Sequence, residues 1–101
     1  VIFAAAAAGV RVISAEQLKH AGKLLVAADV NAVPPPGVEG MELFMNGEPL
    51  PGSDAERVGP LAIGDIKYKT ESGLFKQMIS SNEPVHFDFR HAFELARTLT
   101  A

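Results

Sequence analysis

The apolar positions of this chain form short unbroken runs in its first third and helical periodicities in its last third. Val1 to Ala4, β-branched and aromatic, predict a strand, and the alanines running up to Gly9 leave room for another backbone or a ligand to come close. Ser14 with Gln17 is a capping-box pair, the serine oxygen taking a free amide and the glutamine reaching back, so a helix is expected from about Ala15 to His20, ended by Gly22. Leu24 to Ala28 is a continuous apolar run, as in a strand covered on both faces. Leu61 to Ile63 predicts a third short strand. After it, Ile66, Leu74, Phe75, Met78 and Ile79 fall at helical spacing, with Gly73 weakening that helix. Asp88 is placed to cap a last helix whose Phe89, Ala92, Phe93, Ala96 and Leu99 make one apolar stripe. Strand, helix, strand, long loop, strand, helix, helix is the order of an α/β fold with a mostly parallel sheet.

The stretch from Val30 to Pro60 breaks this pattern. "VPPPGVEG", "NGEPLPGSD" and "VGP" each put Pro or Gly where regular hydrogen bonding would fail. A connection of this length without periodicity is long for a compact domain, so part of it is expected to be functional. Met41 to Met45 are read as a short strand there, with "NGEP" as a turn behind it. In open α/β sheets ligands bind beyond the carboxyl ends of the strands. Three connections are expected on that edge: the alanine–glycine turn after Phe3, the Asp29 to Gly40 loop, and an Ile63-Gly64-Asp65 turn opening a helix. Asp29 and Asn31 end a buried run with side chains that can donate and accept, ahead of prolines that stiffen the loop. They are read either as ligand-facing groups or as caps of turns. Lys67 and Lys69 are expected in a first helical turn, where the dipole disfavours cations unless they face an anion; an ordinary solvated charge is the other reading.

Composition narrows the classes. With 101 residues, one hydrophobic core is expected. A formal charge of −3 and scattered Lys and Arg argue against a nucleic-acid partner. There is no cysteine, which rules out disulfides, thiol nucleophiles and thiolate metal sites and fits a cytoplasmic protein. "VIFAAAAAGV" ends at Arg11, too short to span a bilayer, so no membrane role is expected. His20, His86 and His91 show no ligand spacing, and no metal is assigned. Ser14 and Ser72 lack a partnered base, and Tyr68 is read as packing. Val1 stands where a strand has already begun, which suggests that further residues precede it and that this is the C-terminal part of something larger.

"VIFAAAAAGV", "VAADVNAVPPPGVEG" and "GPLAIGDIKYK" resemble, in order and separation, segments of the bacterial NADP-dependent methylene-tetrahydromethanopterin and methylene-tetrahydrofolate dehydrogenases. The resemblance covers residues 1 to 79; its central motif is fairly specific and the alanine run is weak. It implies an incomplete Rossmann-like three-layer fold, with residues 1–101 as the C-terminal half of an NADP-binding domain whose first half is missing. It implies hydride transfer from a methylene-tetrahydropterin, the small-molecule substrate, to NADP in one-carbon metabolism. The Ala5, Ala6 to Gly9 turn would lie along the dinucleotide, Asn31, Ala32 and Pro34 would border the nicotinamide together with Asp29, and Lys67 would match a lysine near the reacting centre.

Two departures from the family matter. Its glycine-rich phosphate turn and its pterin domain are not found in this sequence, and its glycine after the first strand is alanine here. The chain alone is therefore expected to be inactive and to bind NADP no better than millimolar, and an exposed strand edge would favour a homo-oligomer. Other readings are a shikimate-dehydrogenase-like or glutamyl-tRNA-reductase-like Rossmann fragment, and a non-catalytic interaction module using the Phe87, Phe89 and Phe93 region.

Overall fold

The computed structural model describes residues 1–101, in two compact units, residues 1–63 and residues 64–101. The first unit contains a four-stranded sheet of order β1-β2-β4-β3, built from β1 (Ile2–Ala4), β2 (Val26–Asp29), β3 (Asn46–Pro49) and β4 (Glu56–Val58). Strands β1, β2 and β4 run parallel, with Ala4 opposite Asp29 and Ala28 opposite Val58. β3 pairs antiparallel with β4 at one edge, its register broken between Asn46 and Glu48. The fold is thus α/β with a mostly parallel sheet, as the element order implied.

Short helix α1 (Ala15–Lys19) has the expected box: the Gln17 amide donates to Ser14 Oγ, and the Ser14 amide to Gln17 Oε1. Leu18 on α1 packs with Ala4, Leu24, Ala27, Val38, Met41, Met45 and Ala55 into the buried core of this unit. The alanines on β1 and β2 let the chain pack closely at the sheet, while the longer side chains fill the space around them.

Several sequence expectations fail here. Leu61–Ile63 is not a strand but lies in α2 (Pro60–Ser80). Proline suits a first helical position because the missing N–H would have no intrahelical partner there, and the Leu61 amide is taken by the carbonyl of Leu43. The third parallel strand is instead β4, whose Glu56, Arg57 and Val58 carry no apolar run; it is a strand because its partners β2 and β3 supply the ladder. "NGEP" is β3 rather than a turn, and Met41–Met45 is a turn anchored by its two buried methionines. The Ile63-Gly64-Asp65 turn therefore does not exist. Lys67 and Lys69 sit in the helix interior rather than its first turn, which removes the dipole argument made for them.

The second unit holds the rest of α2 and α3 (Phe89–Thr100). Asp88 caps α3, accepting from the Arg90 amide, while His91 Nδ1 accepts from the Asp88 amide. Gly73 lies beside Leu95, at a spot where a Cβ would come within 2.8 Å of that side chain. No apolar side chain of this unit is fully buried: Phe75, Ile79, Phe89 and Phe93 are all exposed.

Candidate functional site

Because β1, β2 and β4 are parallel, their carboxyl ends meet at one edge of the first unit, and the connections leaving Ala4 and Asp29 run out side by side. Strand ends and loops are joined by main-chain bonds: the Val30 amide donates to the Ala4 carbonyl, and the Val12 and Ile13 amides both donate to the Gly37 carbonyl. A bridge between Ile13 and Val38 continues this pairing, and Arg11 reaches Glu39 at 3.4 Å.

Asp29 is completely buried, and its carboxylate faces the proline loop. Oδ1 accepts from the Asn31 amide and Oδ2 from the Val38 amide, both at 2.9 Å. Gly37 passes so close that a Cβ there would stand 3.2 and 3.3 Å from the two carboxylate oxygens. A loop that returns against its own anchor needs a residue without a side chain at that point. Asn31 is also buried: Oδ1 accepts from the Gly9 and Val33 amides, and Nδ2 donates to the Pro35 carbonyl. Of the two readings kept for these residues, the geometry gives them the loop-organising contacts. The Pro34–Pro35 peptide bond is cis.

The groups facing solvent on this edge are different ones. Ala5, Ala6, Ala32 and Pro34 are exposed and Gly9 is half-buried. Beside the proline loop is a groove of about 390 Å³, lined by Val33, Pro34, Pro36, Leu43, Phe44 and Pro60, with Asn31 and Glu42 also on its wall. Its walls are almost wholly apolar, the lining suited to a flat ring rather than to a charged group. Of the predicted residues, Asn31, Ala32 and Pro34 line this groove; Gly9 is tied to Asn31 from the neighbouring turn, and Ala5 and Ala6 lie in that turn.

Lys67 belongs to the second unit. It is exposed on α2, 4.0 Å from Glu71 one turn on. Sequence reasoning missed Gly37, Val38 and Phe44. The first two lie inside the proline-loop motif, but only the return of the loop onto Asp29 reveals their part; Phe44 falls in Met41–Met45, a segment whose pattern predicts a strand and which is a turn.

No family model matches the chain. Among curated proteins, it is 46% identical over 96 residues to the NAD(P)-dependent methylenetetrahydromethanopterin dehydrogenase of Methylorubrum extorquens, a match covering 95% of this chain and 32% of that protein. It is 29% identical over 98 residues to the bifunctional protein MdtA of the same organism, covering 97% of this chain and 33% of the relative. The chain thus spans about a third of the length of the curated relatives it matches. Over nearly its whole length it is a relative of an NAD(P)-dependent methylenetetrahydromethanopterin dehydrogenase, as its motifs implied.

Proposed function

We propose that this chain is the nicotinamide-holding part of a dehydrogenase that moves a hydride from a methylene-tetrahydropterin, of the methanopterin or folate type, to NADP in one-carbon metabolism. Residues 1–101 would form the C-terminal half of a Rossmann-like domain in a longer cytoplasmic protein, and the isolated chain would be inactive. The observation that carries this reading is the apolar groove beside a buried, fully bonded Asp29–Asn31 loop at the carboxyl edge of three parallel strands. The 46% identity to a protein named for this reaction supports it.

The residues present fit a nicotinamide cofactor, since a flat heteroaromatic ring suits an apolar groove and the small side chains of Ala5 and Ala6 let a dinucleotide backbone approach. When bound, the cofactor supplies the hydride acceptor. The chain's own part is geometric. Val33, Pro34, Pro36 and Phe44 would cover ring faces and exclude water, while the stiff loop would hold the ring at one angle, which matters because hydride transfer depends on aligned carbons. Lys67 is proposed, from the resemblance alone, as an electrostatic and positioning group of the complete enzyme. In the chain by itself β1 lies at a sheet edge with Phe3 exposed, which would favour pairing with a second copy; in a complete Rossmann-like sheet the strands of the first half would take that edge.

The complete reading frame that encodes this chain, expressed and assayed with methylene-tetrahydromethanopterin, is expected to reduce NADP, with growth of absorbance at 340 nm. No reduction of NADP or NAD with either pterin, or turnover of shikimate instead, overturns the proposal.

A further inference from the structure

We propose that Asn31 is a positioning residue that latches the alanine–glycine turn to the proline loop, so that the two halves of this edge act as one rigid receptor. The inference rests on the reading of this edge as a nicotinamide-dinucleotide site, and it concerns how the site is held rather than what it holds.

The two loops are attached at two places. Away from the strand ends, main-chain bonds from Val12 and Ile13 to Gly37 join them. At the turn itself the tie is a side chain: one Asn31 oxygen accepts from Gly9 of the first loop, at 3.2 Å, and from Val33 of the second, at 2.9 Å. The same amide group donates to Pro35 at 3.1 Å. Prolines 34, 35 and 36 have no N–H, so this loop can make few main-chain bonds of its own, and a side chain must hold it. Asparagine meets the need because it carries acceptor and donor in one plane. Asn31 is only 8% exposed, so both lone pairs of its oxygen and one of its N–H bonds are spent inside the protein. Its own amide is fixed by buried Asp29, which places the latch at a set distance from the end of β2. A dinucleotide lying across both loops would then meet a receptor whose ordering cost is already met; without the latch, each loop would have to be ordered by the ligand.

Two variants test this. N31A removes every latch contact. N31D keeps both acceptor positions toward Gly9 and Val33 but turns its second oxygen against the Pro35 carbonyl and adds a charge beside buried Asp29, so it separates the bonds to the two amides from the rest of the latch. In the chain itself, with folding checked by circular dichroism, amide exchange at Gly9 and Val33 is expected to quicken at least tenfold in N31A, with Ala27 and Ala28 of β2 unchanged, and at Gly9 to be slower in N31D than in N31A. In the complete enzyme, N31A is expected to raise KM for the dinucleotide at least tenfold while KM for the pterin stays within threefold. Unchanged exchange at Gly9 in N31A, or a KM for the dinucleotide in N31A within threefold of wild type, overturns the latch. If the wild-type enzyme reduces no nicotinamide nucleotide, the function reading fails, and the exchange measurement still decides whether the latch exists.

Discussion

Changing Asp29 to Asn should show how much of this edge depends on one carboxylate. The side chain is wholly buried, and each oxygen accepts one main-chain N–H at 2.9 Å. Asparagine has the same shape but one acceptor fewer, so it turns an NH2 group toward either the Asn31 or the Val38 amide. One bond to a carboxylate is lost, normally about 1.5–3 kcal/mol, and a buried N–H is left facing another donor, which costs about 1–3 kcal/mol. Allowing for relaxation of the loop, the expected loss is about 2–4 kcal/mol, a large share of the roughly 5–15 kcal/mol that holds a domain together. D29A leaves both amides unpaired and should lose more. It should also relieve Gly37, where a Cβ would meet the two carboxylate oxygens at 3.2 and 3.3 Å, so G37A should cost less in the D29A background than in the wild type. Urea unfolding followed by circular dichroism measures D29N, D29A, G37A and the double variant against the wild type, with midpoints compared at a common slope. A D29N protein within about 0.5 kcal/mol of wild type would refute the argument, because a surface-like cost is incompatible with a buried, doubly bonded carboxylate.

At Gly59, a Cβ would stand 2.2 Å from the Glu42 carbonyl oxygen and 2.8 Å from that of Leu43, so G59A should destabilise by about 1–3 kcal/mol or more in the same unfolding assay, and a neutral result would contradict this close approach. Lys67 makes only an exposed pair with Glu71, so K67A should change stability by less than about 0.5 kcal/mol; in the complete enzyme, an unchanged turnover rate would remove Lys67 from the proposed mechanism. The Arg90 side chain, then the Arg90 amide, and to a lesser degree His91 hold the Asp88 carboxyl at about 2, below its ordinary 3.8. Since the folded value lies below the unfolded one, this capping contribution is complete above 3.8 and is lost as pH falls through about 2. The Arg90 amide shift should titrate in that window and α3 should fray; a flat profile would show that the cap is not formed.

The sequence determined the features whose cause is local. The capping box at Ser14, the cap at Asp88, the strand at Ile2–Ala4 and the apolar run of β2 need only neighbours within a few residues, and each is where the pattern put it. The motif around Asp29 likewise pointed to the relatives that the chain matches. What only the tertiary structure decided depends on partners far apart along the chain. β4 is a strand because β2 and β3 flank it, and Leu61–Ile63 became helical because Pro60 and Gly59 start a helix there, although the three residues by themselves suit either state. The same holds for the site. Polar residues at the end of a strand are equally suited to face a ligand or to fold a loop, and nothing in the spacing separates the two. The choice was made by the return of Gly37 and Val38 onto Asp29 and of Gly9 onto Asn31, contacts 22 residues apart in the case of Gly9, because a buried donor or acceptor takes whichever partner the fold brings within reach.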